Sequence, residues 1–179
     1  GGHTAVVNSK AFEVAGVNMD TPDPFGGKFY RENGAFTGKI AEHATDPFRN
    51  AGAIPSADRS QIAKSAAMSS QAMSRSGLTS TTDAGATREE LLAYNDARKA
   101  GDLALRVSVM PIGNSGLYTA LKEAGIGSGF GDEFIRIGAA KFVADGSASE
   151  RTMSMSTPFE GRPDDYGILT MTQDQVYDA

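Results

Sequence analysis

The run "AAKFVADGSASERT", residues 139–152, decides how this chain is read. Together with Ile135 and Ile137 before it, the run reads as an apolar strand that ends in an Asp-Gly-Ser turn. Side chains on one face of a strand recur at every second position. Ile135, Ile137, Ala139, Lys141, Val143 and Asp145 would then share a face, and Phe142 would take the other. A lysine among such neighbours needs a reason. At a sheet edge, or with its stem snorkelling, the amine would reach water, but a central parallel strand is covered on both faces. A buried amine favours its neutral, nucleophilic form. It could form a Schiff base with a carbonyl compound, or add carbon dioxide to become a carbamate whose two oxygens can bridge metal ions.

Upstream of this run, helix and strand alternate. "SADRSQIAKSAAMSSQAMSRSG" (56–77) has a Ser or Asp cap and helical apolar spacing, and "LTSTTDAGA" (78–86) is β-branched and ends in a turn. "TREELLAYNDARKAG" (87–101) opens with Thr87 and Glu90 spaced as a capping box, and Gly101 follows its end. "LALRVSVMP" (103–111) places Leu103, Leu105, Val107 and Val109 on one side, and "SGLYTALKEAG" (115–125) is a third helix. Three such alternations with short connections point to parallel α/β architecture, either an open doubly wound sheet or a (β/α)8 barrel. In both, functional groups collect at the carboxyl ends of strands, here Asp83, Met110-Pro111 and Asp145.

The first third of the chain has a different rhythm. Residues 1–19 read as a helical opening segment, with Val6, Val7, Ala11 and Val14 near helical spacing over 4–16. Residues 20–55 are a loop-rich insertion with a short hairpin, 28–32 and 36–40, around Asn33-Gly34. Residues 56–179 carry the βα repeats, as an incomplete set.

Composition removes several functions. The 179 residues carry a net charge of −5 without a basic cluster, which argues against a nucleic-acid surface. No apolar run approaches the ~18 to 20 residues needed to cross a bilayer. The absence of cysteine excludes disulfides and thiolate metal sites. Residue 1 is glycine, and Thr172 would cap a helix cut off after about two turns, so an internal section of a longer polypeptide is expected. A cytoplasmic location is the accompanying expectation.

Several motifs have an ordinary reading. The glycines of "GIGSGFGDEF" (125–134) follow a helix and precede a strand, the reverse of a phosphate-cradling loop, so a flexible connection is expected. His43 reads as a cap or a surface residue. His3 suits a site loop better, although two histidines without cysteine need carboxylates to complete a zinc site. Asp83 and Asp145 can end their strands by bonding the next turn, and Arg151 can lie on the surface or hold a carboxylate.

The segments "GGHTAVVNSKAFEVAGV", "DPFGGKFYRENGAFTGKIAEHA", "GLTSTTDAGA" and "AAKFVADGSASERT" together resemble the amidohydrolase superfamily. The likeness is to its branch of N-substituted formamide deformylases and related metal-dependent hydrolases, and it covers essentially the whole chain. The resemblance implies part of a metal-dependent (β/α)8 barrel that hydrolyses a non-peptide amide-type C–N bond with metal-activated water. It implies a divalent metal, zinc first, as one or two ions. Lys141 matches the carboxylated, metal-bridging lysine. His3, Asp145 and Arg151 match substrate-side positions. The family's His-x-His pair would precede residue 1, and its later histidines and final aspartate would follow residue 179. One departure, "GSASERT" for the usual "GSLGSRT", bears on the substrate preference of that loop. Expected partners are a small-molecule substrate and the rest of the same polypeptide, with a second copy of the chain left open. Two other readings stay open: a Schiff-base lysine barrel enzyme, and a non-catalytic α/β ligand-binding module.

Overall fold

A computed structural model describes residues 2–179. The chain divides into two compact units, Gly1–Ser56 with Val143–Ala179, and Ala57–Phe142.

The first unit is built on a three-stranded antiparallel sheet in the order β1-β3-β2: β1 Thr4–Val6, β2 Gly27–Glu32 and β3 Ala35–Glu42. Asn33 and Gly34, at φ 51° and 76°, join β2 to β3. Two positive-φ residues in a two-residue loop match the twist of the strands they connect. The helix expected over 4–16 starts late. Residues 4–6 pair with β3, and α1 spans Ser9–Ala15, capped by the Asn8 side chain accepting from the Ala11 amide at 3.0 Å. Asn8 sets the boundary, because its side chain satisfies an amide that a longer helix would have bonded internally. A short 3-10 turn leads from β3 into α2, Asp46–Asn50. The core is aromatic: Phe12, Val17, Phe29, Ile40, Ala44 and Phe48 are buried together. Phe12 stacks on Phe36 with centroids 4.2 Å apart and meets Phe48 edge-on at 5.1 Å. Each fully buried side chain of this size contributes roughly 1.5–3 kcal/mol relative to exposure. Helix α6, Gln173–Asp178, ends the described chain behind a Thr172–Gln175 capping box.

The second unit alternates as the sequence suggests: α3 Arg59–Arg75, β4 Ser80–Ala86, α4 Arg88–Ala100, β5 Arg106–Pro111, α5 Gly116–Glu123 and β6 Ile135–Ile137. Its three strands are parallel in the order β4-β5-β6, making the chain α/β with one antiparallel and one parallel sheet. Caps mark each helix start: Asp58 with Gln61, Thr87 with Glu90, and Ser115. Leu103, Leu105, Val107 and Val109 are buried with Ala86, Ala97 and Ile135. Leu91, Tyr94 and Phe134 pack against that cluster. Helix α3 lies outside it and buries only Ser70, leaving Met68 and Met73 exposed. An Arg59–Asp96 pair, with Nη2 to Oδ1 at 2.7 Å, joins α3 to α4. The glycine-rich stretch after α5 is a connection, and it doubles back on β6 through an antiparallel Gly131–Arg136 bridge. No helix among the described residues is long and apolar enough to cross a membrane.

Candidate functional site

The strand expected to run from Ile135 to Asp145 is only three residues long, and its early end changes where Lys141 points. β5 and β6 pair in register from Val107–Ile135 to Val109–Ile137. The next pairing is an isolated parallel bridge between Ile112 and Lys141. It is closed by the Lys141 amide donating to Pro111 O at 2.8 Å and the Gly113 amide donating to Lys141 O at 2.7 Å. Three steps along β5 therefore match four along the other segment, so one extra residue lies between Ile137 and Lys141. Because strand side chains alternate, one extra residue exchanges the faces. Ile135 and Ile137 face the buried core, whereas Lys141 shares the side of Ile112, the more open face that carries Ser108 and Arg136. The lysine is not on the apolar face that its sequence parity assigns to it.

Phe142 points the other way. Its ring meets Tyr118 of α5 edge-on, with centroids 5.7 Å apart. Gly113 makes the approach possible, since a Cβ there would run into the Phe142 ring. Phe142 thus anchors the bridge from the helix side and fixes the backbone from which Lys141 projects. Lys141 is half-buried, and among the described residues its ammonium has no ion-pair partner. A concavity of about 810 Å³ on the second unit includes Ser80, Thr82, Arg106, Ser108 and Arg136. It runs along the amino-terminal halves of β4 and β5 and the end of β6, and Lys141 does not line it.

Asp83, expected at a functional strand end, faces the helices instead. The Tyr94 hydroxyl on α4 donates to its Oδ2 at 2.9 Å. Burial raises the Asp83 carboxyl above the ordinary carboxylate range, and the Tyr94 bond partly opposes that rise. Burial and the same bond push the Tyr94 hydroxyl up as well, so it remains a donor.

The remaining residues assigned by resemblance lie in the first unit. Nδ1 of His3 is 2.9 Å from Oε2 of Glu42 and 3.1 Å from Oε1. Asp145 Oδ2 accepts from the Ser154 amide at 2.9 Å, and its backbone bridges to Leu169. Arg151 is exposed at φ 54° and makes no ion pair among the described residues. His3, Asp145 and Arg151 share no hydrogen bond with one another among the described residues. What links their neighbourhoods is the loop between them: Thr152 donates to Glu42 at 2.7 Å, and the Thr4 hydroxyl donates to Glu150 at 2.5 Å. Glu150 belongs to the departing "SASERT" run, so the departure has a structural use. The Thr4 bond, aided by the nearby His3, holds the Glu150 carboxyl below the usual range.

Glu42 is the residue that sequence reasoning misses. Its signal in "GKIAEHA" is a charge just after the buried Ile40-Ala41 pair, but its partners lie 39 and 110 residues away. Metal fit is a question of donors. No group of three or more His, Asp or Glu among the described residues could hold an ion. Lys141 could supply one ligand, and these residues do not form a metal site by themselves.

The chain is similar to several known proteins. YtcJ of Bacillus subtilis (strain 168), which carries the name of an amidohydrolase, is 27 % identical over 172 residues, 93 % of this chain and 31 % of that protein. Two crystal structures of uncharacterized metal-dependent hydrolases share the fold. The one from Pyrococcus horikoshii OT3 has a TM-score of 0.69 at 22 % identity and covers 98 % of this chain and 34 % of its own. The Pyrococcus furiosus structure has a TM-score of 0.67 at 23 % identity, with 98 % and 35 % covered. The chain thus spans about a third of the length of the relatives it matches. The Amidohydrolase family profile matches residues 1–179, so the parallel sheet with its strand-end lysine and the antiparallel sheet with its His–Glu pair both lie within the match, and the chain belongs to that family.

Proposed function

We propose that the protein containing this chain is a metal-dependent hydrolase of the N-substituted formamide deformylase type, cleaving a non-peptide amide C–N bond in a small molecule. The membership of the whole chain in the Amidohydrolase family supports the hydrolase class. The observation that carries the residue assignment is the register change before Lys141, which turns its amine from the apolar core to the open side of the sheet's carboxyl end. Functional groups of barrel folds gather at that end.

In this reading the Lys141 amine would add carbon dioxide and lose a proton, and the resulting carbamate, with one negative charge shared by two oxygens, would be a ligand for a divalent metal, zinc by preference. The ion, when bound, supplies a water of lowered pKa and polarises the scissile carbonyl. The chain's own part is to hold the ligand still. Phe142 against Tyr118, and the two backbone bonds to Pro111 and Gly113, fix the lysine backbone. His3, Asp145 and Arg151 serve the substrate, the first through the ring nitrogen that does not face Glu42 and the last through its guanidinium. The other metal ligands, and closure of a (β/α)8 barrel, come from the rest of the polypeptide.

The test uses the intact protein. Lys141→Met keeps the length of the stem and removes the amine, and it should lose most bound divalent metal by elemental analysis. Labelled bicarbonate should give a carbamate carbon resonance in the wild type that is missing from the variant. Full metal content in Lys141→Met would make the lysine structural and end the proposal.

A further inference from the structure

The surroundings of Glu42 exceed what is needed to end a strand. Its side chain is 6 % exposed, against 30 % for His3. Both carboxylate oxygens approach Nδ1 of His3, and Oε1 also accepts from Thr152. Thr152 is itself buried, and its Oγ1 accepts from the Ser147 amide at 2.9 Å, so the one hydroxyl proton is committed to Glu42. The loop comes this close because residue 146 is glycine: a Cβ there would strike Oγ1 and the carbonyl of Thr152. The Glu42 amide also donates to His3 O at 2.7 Å. Its backbone sits at φ 52°, ψ −129°, a conformation that favours glycine. Backbone of that kind costs on the order of 1–3 kcal/mol and persists where its surroundings over-determine it.

The chemistry of the pair has a direction. A carboxylate only accepts hydrogen bonds, so the imidazole nitrogen facing it must carry a hydrogen. We propose that Glu42 is a positioning residue that fixes His3 as its Nδ1–H form and so presents the Nε2 lone pair of this partly exposed ring as the acceptor offered to a polar N–H or O–H of the substrate. The inference rests on the reading of His3 as a substrate-side residue, but the state of the ring is measurable without any substrate. Two carboxylates face the ring region, Glu42 in direct contact and Glu150 on the neighbouring loop.

Nitrogen-15 chemical shifts of labelled histidine in the intact protein report which ring nitrogen carries hydrogen, and a His3→Gln variant assigns the signal. The wild type should show hydrogen on Nδ1 and none on Nε2; hydrogen on both nitrogens would overturn the proposal. In Glu42→Gln the side-chain amide can donate as well as accept, so the Nε2–H form should become a substantial share of the population. Thr152→Val removes the hydroxyl while keeping the volume and leaves the carboxylate facing Nδ1, so its ring should stay in the Nδ1–H form. Diethyl pyrocarbonate, which acylates an unprotonated ring nitrogen, gives an independent measure: modification of His3 should slow several-fold in Glu42→Gln. A wild-type ring in the Nε2–H form would overturn the proposal, as would an unchanged tautomer balance in Glu42→Gln. Should Glu42→Gln not fold, the wild-type signal decides by the same criteria. Loss of the metal hypothesis through Lys141 would leave these signals unchanged, so the two failures are distinguishable.

Discussion

The Tyr94 hydroxyl donates to Asp83 across the β4–α4 interface, a bond between a strand carboxyl and a helix phenol in the half-buried layer of the second unit. Burial raises the Asp83 carboxyl despite that bond, with a further push from Glu90. The folded state therefore holds the Asp83 proton more tightly than the unfolded chain does. Stability falls as pH rises from the ordinary carboxylate value through the raised one, and is level above that window. Asp83→Asn keeps an acceptor for Tyr94 without a charge. Denaturant midpoints should favour the variant at neutral pH, and the difference should vanish in acid below the window. An equal difference at all pH values would assign the effect to packing.

Gly113 and Phe142 form a second tight pair. Gly113→Ala should destabilise the intact protein by about 1–3 kcal/mol, as overpacking does. Combining it with Phe142→Ala should cost less than the two single changes added together, because the second removes what the first collides with. Urea denaturation of the four proteins of the cycle measures the coupling, and simple additivity would contradict the contact.

Helix α4 depends on its first turn. Thr87 accepts from the Glu90 amide, and Glu90 Oε2 accepts from the Thr87 amide at 2.7 Å. Thr87→Ala should cost about 1 kcal/mol, and Thr87→Ser should recover most of it. Thermal or urea denaturation distinguishes these outcomes.

Phe48 is fully buried, with edge contacts to Phe12 and Phe29. Phe48→Ala should cost about 3–5 kcal/mol, with Phe48→Leu well below that, since the cavity is smaller. Equal losses would mean that the site collapses around either residue.

Features set by neighbouring residues were legible in the sequence. The Thr87–Glu90 box, the Thr172 cap, the Asn33-Gly34 turn and the Leu103-to-Val109 face all follow from local chemistry or period. Reading failed where a partner distant in sequence decides. Val6 and Val7 sit at helical spacing from Ala11 and Val14, yet β3 takes residues 4–6 into a sheet. The parity argument for Lys141 assumed an unbroken strand, and one extra residue after Ile137 reversed it. Asp83 looked like a rim residue because nothing local reveals Tyr94, eleven positions on. Among the proposed functional residues, the sequence could nominate His3 and Lys141 by type and motif, but it could not supply Glu42.

The first unit is discontinuous in sequence, Gly1–Ser56 and Val143–Ala179, while Ala57–Phe142 is a single span. During synthesis every residue of the intervening unit emerges before the second segment of the first unit. The Glu42–Thr152 bond, by contrast, closes across 110 residues and must wait for the later segment. Closing a long loop is entropically slow, but the cost grows only with the logarithm of length and falls once the middle is already compact. Until residue 152 emerges, the first unit therefore has its aromatic core but not the hydroxyl partner of the Glu42 carboxylate. Ribosome-stalled chains ending before residue 143 should capture that state.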